Sequence, residues 1–259
     1  MTFESLSLTP LLIVAGAAFV AAAINAAAGG GSFISFPTLL GVGIPPVSAN
    51  ATNNLAMWLG TLTSANELRG DLDLPRPAFV KIVIVSLIGS VAGALILLRT
   101  SNATFAVLIP FLLLGATLLY VFGPQITRAV RDFTFARLDS PIGLGAQFVV
   151  AIYGGFFGAA QGILILALLG ALGMHDARKA NALKNVLTAF INGIACIPYV
   201  LARIIDWQVG LAMAIGAIAG GYIGANLVKR LPAPAVRTVV IAIACSMTAY
   251  FFWKTYLRG

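Results

Sequence analysis

Gly29-Gly30-Gly31-Ser32-Phe33-Ile34-Ser35-Phe36-Pro37-Thr38-Leu39-Leu40-Gly41-Val42-Gly43 is an apolar run closed at both ends by glycine. As a helix over 30–43 it rises only about 20 Å, against a bilayer hydrocarbon core of about 30 Å. Such a piece is tolerated at membrane depth only when buried in protein or lining a wet cavity. The run over 162–174 is equally short and also follows a glycine-containing break. Around these two stretches lie full-length apolar segments near 8–28, 47–66, 77–98, 103–123, 141–159, 180–202, 207–228 and 233–253.

Composition agrees with that reading. Apolar residues make up 60% of the 259 and charged residues 9%, where a soluble domain carries about 25% charged. Disordered chains and ordinary globular enzymes are excluded. The runs have helical length and not the roughly 10-residue alternation of an outer-membrane barrel. An all-α polytopic membrane protein is predicted, with the bilayer as its principal partner. The run from Leu11 to Ile24 resembles a signal peptide, but residues 1–10 contain Glu4 and no basic leader, so it is read as the first membrane helix. Cys196 and Cys245 are far apart within apolar runs and offer neither a disulfide framework nor metal spacing.

The two short stretches occupy matching places in an internal repeat. Sliding the chain by 131 residues puts Ala49-Asn50-Ala51 on Ala180-Asn181-Ala182, Asn54 on Asn185, Gly89 on Gly220, Gly93 on Gly224, Ala94 on Ala225 and Arg99 on Arg230. With a one-residue slip, Gly29-Gly30-Gly31-Ser32 meets Ala159-Ala160-Gln161-Gly162. The predicted organisation is a first membrane repeat over 1–123, a cytoplasmic basic linker over 124–140 and a second repeat over 141–259. Each repeat has about four full transmembrane helices and one short or re-entrant half-helix. Five segments per repeat is an odd number, so the halves are expected to be inverted. With the N-terminus outside, Arg69, Arg76, Lys81, Arg128, Arg131, Arg137, Arg178, Lys179, Lys229, Arg230 and Arg237 fall on one side, and only Arg99, Arg203, Lys254 and Arg258 on the other. Cytoplasmic loops are the ones enriched in Lys and Arg, so both termini are placed in the periplasm.

Inverted repeats with paired helix interruptions form the pattern of a transporter whose site lies where the repeats meet. Glycines at Gly29, Gly30 and Gly31, with Ser32 opening a short helix, let backbone amides approach a ligand at the positive helix end. Close helix packing explains the same glycines equally well. In the next segment Ser48 is a candidate N-cap, and Asn50, Asn53 and Asn54 occupy the following turns, Asn50 and Asn54 on one face. In the second repeat Asp176 is the candidate cap, followed by Asn181, Lys184 and Asn185. Lys184 lies about 12 Å into its helix, and an ionisable residue at such depth is a functional-site candidate, with a snorkelling lysine the alternative. Asn25 precedes the first break; Gln161 and Gly162 sit in the second. Asn192 is read as interhelical glue. Gly89/Gly93, Gly154/Gly158 and Gly216/Gly220/Gly224 are read as packing positions.

The acids Glu4, Glu67, Asp71, Asp73, Asp132, Asp139, Asp176 and Asp206 lie at segment ends or in loops, and the lone His175 is in a loop. Carboxylate-based proton coupling is disfavoured unless Glu67 is deep. No metal or cofactor is expected, no nucleic acid, and no sodium site is evident; a homo-oligomer is left open. Anion export needs no relay, because an inside-negative potential contributes about 2.3 kcal/mol per charge per 100 mV.

These residues resemble the TauE/SafE family of permeases. The resemblance covers both halves and is carried by Asn25-Ala26-Ala27-Ala28-Gly29-Gly30-Gly31-Ser32 with Pro37, Ala49-Asn50-Ala51-Thr52-Asn53, Gly154-Gly155-Phe156-Phe157-Gly158 and Ala180-Asn181-Ala182-Leu183-Lys184-Asn185. The chain departs at Ala159-Ala160-Gln161-Gly162, where the family is expected to have a denser glycine run. The resemblance implies transport of sulfite, thiosulfate, a sulfonate or a related oxyanion across a bacterial inner membrane, and no enzymatic activity. The expected mechanism is alternating access, with an anion channel as the alternative. A membrane thiol-redox or assembly protein using Cys196 and Cys245 is a remoter reading, and the lone His and the lack of buried carboxylates disfavour a cation carrier.

Overall fold

The computed structural model describes residues 7–27, 29–131, 137–159, 161–227 and 233–257. Its helices are α1 (Leu8–Ala27), α2 (Ser32–Gly41), α3 (Pro46–Leu68), α4 (Arg76–Leu98), α5 (Asn102–Arg131), α6 (Pro141–Phe156), α7 (Gln161–Ala171), α8 (Ala177–Leu201), α9 (Trp207–Leu227) and α10 (Ala233–Phe252). A 3-10 turn (Arg69–Asp71) follows α3, and a π turn (Trp253–Leu257) follows α10. The described residues contain no strand. Ala28, Ala160, Glu4, Asp132, Lys229, Arg230 and Arg258 lie outside the described residues, as do the side chains of Arg128, Arg131 and Arg237.

Among the described residues, six helices are long and apolar enough to cross a bilayer, namely α1, α4, α5, α8, α9 and α10 with its π turn. Helix α3 matches α4 in length at 23 residues, but buried Asn50, Thr52, Asn53, Asn54, Thr61 and Ser64 make it polar inside the protein. Helix α6 has 16 residues, and α2 and α7 have 10 and 11, rising about 15 Å each. Helix α5 continues through Arg131, so the first part of the basic stretch 124–140 is helical and not loop.

The starts of α3 and α8, of α4 and α9, and of α5 and α10 each lie 131 residues apart. At the short helices the spacing tightens. Ser32 and Gln161 both open their helices, so the slip at the break is two residues and not the one expected. Glycines in the left-handed region bracket both pieces: Gly29 (φ 77°), Gly30 (φ 85°) and Gly43 (φ 92°) around α2, Gly158 (φ 72°) and Gly173 (φ 88°) around α7. Side chains with a β-carbon resist that conformation, so these glycines fix where each short helix begins and ends. Gly158 is therefore a turn residue, which corrects its reading as a helix-packing position. A methyl there is expected to cost about 1–2 kcal/mol. Thermal unfolding of Gly158→Ala in detergent measures this, and an unchanged melting temperature would contradict it.

Contacts along each helix pair give directions. Helices α3 and α8 cross antiparallel at the centre: Ser48 donates to Ile204 O at 2.6 Å, Cys196 Sγ to Asn54 Oδ1 at 3.5 Å, and Gly193 lies against Trp58. Helix α9 runs parallel to α3, with Asp206 N donating to Thr52 Oγ1 (3.0 Å) and Ser64 to Gly221 O (3.1 Å). Helix α1 runs parallel to α9, its Ala15, Phe19 and Ala23 backbone resting on Gly216, Gly220 and Gly224. Helix α6 runs parallel to α4, with the Phe148 and Ile152 backbone on Gly89 and Gly93. Small residues let these backbones touch, which is how membrane helices gain contact where lipid removes the hydrophobic drive. Helices α5 and α10 pair antiparallel through Thr117 and Thr248, 2.9 Å apart and 131 residues apart in sequence, and through Phe111 on Phe252. Leu12, Ile13, Ile84, Ile88, Phe111 and Ile215 face outward, as lipid contact requires.

Ser48 does not cap α3, because Pro45 precedes the helix and Pro46 is its first residue. Proline suits that position, since its missing N–H has no intrahelical partner there. Asp176 caps α8 as expected, accepting from Arg178 N (2.9 Å) and Lys179 N (3.2 Å). At this end Lys179 pairs with Asp73 at 2.5 Å and Arg178 with Asp71 at 3.2 Å. The Lys179 ammonium, by hydrogen bond and charge, holds the Asp73 carboxyl below the usual carboxylate range. This contribution is present at neutral pH and lost as pH falls through the lowered value, and its full exposure keeps it small. At the other end of the crossing Ser48 and Ile204 are joined by a neutral bond.

Candidate functional site

The ends of α1 and α6 and the starts of α2 and α7 come together beside the crossing of α3 and α8. A β-carbon on Gly162 would lie 3.6 Å from Gly29 Cα and 3.1 Å from Lys184 Cδ, so the two breaks and the lysine are in direct contact. Helix α8 delivers Lys184 from one side and α3 delivers its asparagines from the other. Asn50, Asn53, Asn54, Gln161, Lys184 and Asn185 are buried, as are Gly29, Gly30, Gly31 and Gly162, while Asn25, Ser32 and Asn181 are half-buried. All thirteen predicted site residues thus belong to one region.

The direction of the donors differs from expectation. Lys184 Nζ donates to Asn25 O at 2.9 Å and Asn181 Nδ2 to Ala26 O at 3.4 Å, both carbonyls at the C-terminal end of α1. Asn50 Nδ2 donates to Phe156 O at 2.9 Å and the Tyr199 hydroxyl to Gly155 O, at the end of α6. The side chains therefore cap the two interrupted helices at their negative ends, where cations and donors are favoured. They do not line up with the amides of α2 and α7. Those amides sit on the facing side of each break: Phe33 N bonds Gly30 O and Ile34 N bonds Gly31 O, placing Gly30, Gly31 and Ser32 ahead of the first intrahelical bonds. Each break thus joins a negative helix end to a positive one. Sequence spacing contained Asn25, but only as a side chain; the atom that Lys184 contacts is its backbone oxygen.

Lys184 does not reach solvent, at 1% exposure. Its one hydrogen bond among the described residues is to a neutral carbonyl, and no ion pair includes it. Taking an ammonium out of water costs several kcal/mol even after relaxation. A helix C-terminus returns at most about 2 kcal/mol. The balance favours a negative partner.

Polar capacity is also left over around it. Asn53 Oδ1, Asn185 Oδ1 and both amide atoms of Gln161 are buried without a hydrogen-bond partner among the described residues. Each such group costs about 1–3 kcal/mol. Asn53 Nδ2 reaches Ser32 Oγ at 3.4 Å, and Asn185 Nδ2 reaches Asn181 O at 2.9 Å. Gln161 Oε1 occupies the space beside Gly154 and Gly158, and Ile191 of α8 also lies against Gly154, so Gly154 admits both the glutamine and the neighbouring helix. Asn192, read as interhelical glue, has its Oδ1 unpartnered. Cys196 bonds Asn54 and is buried, while Cys245 is exposed on α10; both are free thiols. No group of His, Cys, Asp and Glu among the described residues is arranged to hold a metal.

An aromatic cluster of Phe36, Phe105, Phe156 and Phe157, edge to face at 5.5–6.4 Å, ties α2 and α5 to the end of α6. At the Asp176 end a cavity of about 460 Å³ is lined by Asp73, Arg137, His175, Asp176 and Lys179.

The sequence profile of the sulfite exporter TauE/SafE family matches residues 14–251. A probable membrane transporter protein of Haemophilus influenzae is 32% identical over 232 residues, covering 89% of this chain and 90% of its own. Probable membrane transporter protein YfcA of Escherichia coli is 25% identical over 264 residues, covering 98% and 95%. Probable membrane transporter protein ORF9 of a Sinorhizobium species is 26% identical over 238 residues, covering 89% and 88%. No solved structure matches the chain. A profile spanning both glycine breaks and both asparagine helices, on a multi-pass helical membrane protein, places this chain in the TauE/SafE family of membrane transporters.

Proposed function

We propose that this protein carries a small sulfur-containing oxyanion, such as sulfite, thiosulfate or a sulfonate, across the bacterial inner membrane. The observation that carries the reading is Lys184, a buried cation held at the junction of two helix breaks with no negative partner among the described residues. While Asn53 and Asn185 turn their Nδ2 groups to Ser32 Oγ and Asn181 O, an oxyanion entering there meets the ammonium, the amides opening α2 and α7, and the unpartnered Nε2 of Gln161. Together these replace its water shell, without which burial of an ion is prohibitive. The description of the matching family as a sulfite exporter supports sulfur chemistry.

The transport step is rocking of two inverted halves about this site. Antiparallel crossing of α3 and α8, helices that begin 131 residues apart, supports the inversion. Burial of the site residues supports a carrier over an open channel. Both termini then face the periplasm, and reporters fused at either end are expected to be active there; cytoplasmic activity of either would overturn the arrangement. Flux of sulfite and of methanesulfonate into proteoliposomes tests the function. Saturable uptake of either supports it, and no uptake of any sulfur anion by folded protein overturns it.

A further inference from the structure

The lysine at the centre of the site has a charge problem that its protein neighbours do not solve. Lys184 is 1% exposed and bonds one neutral carbonyl. The elements packed around it offer no counter-charge. Helices α1, α2 and α7 contain no ionisable side chain. Helix α6 contributes only Tyr153, whose hydroxyl is bonded to Ala159 O. Helix α3 has only Glu67, at its far end, and α4 has only Arg76 and Lys81, in its first two turns. On α8 itself the other groups are Arg178 and Lys179, paired with Asp71 and Asp73, and Cys196 and Tyr199 farther along. An ammonium sealed among neutral groups is strongly disfavoured, and so is an anion sealed without a cation. Each removes the other's difficulty.

On the reading above, we propose that Lys184 takes up a proton when one singly charged anion binds and gives up both together, so that the protein is an electroneutral proton–monoanion cotransporter. In the step, free proton plus anion plus the uncharged Lys184 amine becomes an ammonium–anion pair, and the net charge of the site is zero in both the unloaded and the loaded form. Neither form then carries net charge through the membrane as the halves rock. A dianion paired with one ammonium would leave a buried negative charge, so within the class proposed above sulfonates and hydrogensulfite are selected, and thiosulfate and the sulfite dianion are disfavoured. Methionine or glutamine at this position has no proton to exchange, and arginine keeps its proton throughout.

The test uses the full chain in proteoliposomes with methanesulfonate, which is a monoanion at every working pH and so brings no proton of its own. Expected results are acidification of the lumen one-to-one with sulfonate entry, and accumulation that follows an imposed pH gradient at about tenfold per pH unit. Clamping the potential in either direction should leave the uptake unchanged, and sulfate should compete poorly. Proton uptake on sulfonate binding in weakly buffered detergent should be present in the wild type and absent in Lys184→Arg that still binds. Sulfonate flux that follows the potential with no proton movement overturns the coupling while leaving the carrier function standing. Proton uptake retained in Lys184→Arg likewise overturns it, because the proton must then sit elsewhere. No binding or flux of any sulfur anion by folded protein removes the carrier reading itself, and the coupling with it.

Discussion

Lys184→Ala is expected to abolish transport while leaving a folded protein in detergent. The substitution removes the sole buried cation among the described residues and its bond to Asn25 O. Losing a charged partner in a dry site costs about 2–5 kcal/mol, or about 30-fold in affinity at the least. The folded state should tolerate it, because the unloaded lysine contributes only its bond to Asn25 O, worth about 1 kcal/mol, and the melting temperature is expected to stay nearly level. Anion binding by calorimetry and melting by nanoscale fluorimetry read the two effects separately. Unchanged affinity would remove Lys184 from the site, and collapse of the protein would make it a structural cap on α1.

Gly93→Val and Gly220→Val are expected to prevent folding, for equivalent reasons in the two halves. A β-carbon at Gly93 would overlap the Ile152 carbonyl on α6, and one at Gly220 the Phe19 carbonyl on α1. The obstruction is backbone, which no rotamer change relieves, so the cost lies at or above the roughly 1–3 kcal/mol usual for overpacking. Gly16→Ala and Gly115→Ala are the controls, since nothing lies within 4 Å of a β-carbon at either. Size-exclusion profiles of the four variants in detergent decide it. Monodisperse Gly93→Val or Gly220→Val would show that these helices separate more easily than their contacts indicate.

The packing role of those two glycines is legible in their spacing from Gly89 and Gly224, and most of the helix plan is equally legible in the apolar runs. The ten segments begin within three residues of the helices found, because a bilayer imposes length and apolarity on each span independently of its neighbours. Asp176 can also be read directly, since a cap acts on the amides two and three residues ahead. Ser48 cannot be read correctly, because its partner Ile204 is 156 residues away and two prolines take over the start of α3.

The sequence by itself determined that the chain is a helical membrane protein with two short interrupted helices, and it assembled Asn25 through Asn185 as one set. Those conclusions rest on apolar length, glycine placement and a repeat spacing, all of which are local or periodic. Only the tertiary structure decided where the donors point. Lys184 and Asn181 turn to the carbonyls that α1 leaves free, and Asn50 to the carbonyl that α6 leaves free, across separations of 106 to 159 residues. A helix interrupted in the membrane leaves its last carbonyls without intrahelical partners, and which side chain satisfies them depends on which helix packs alongside.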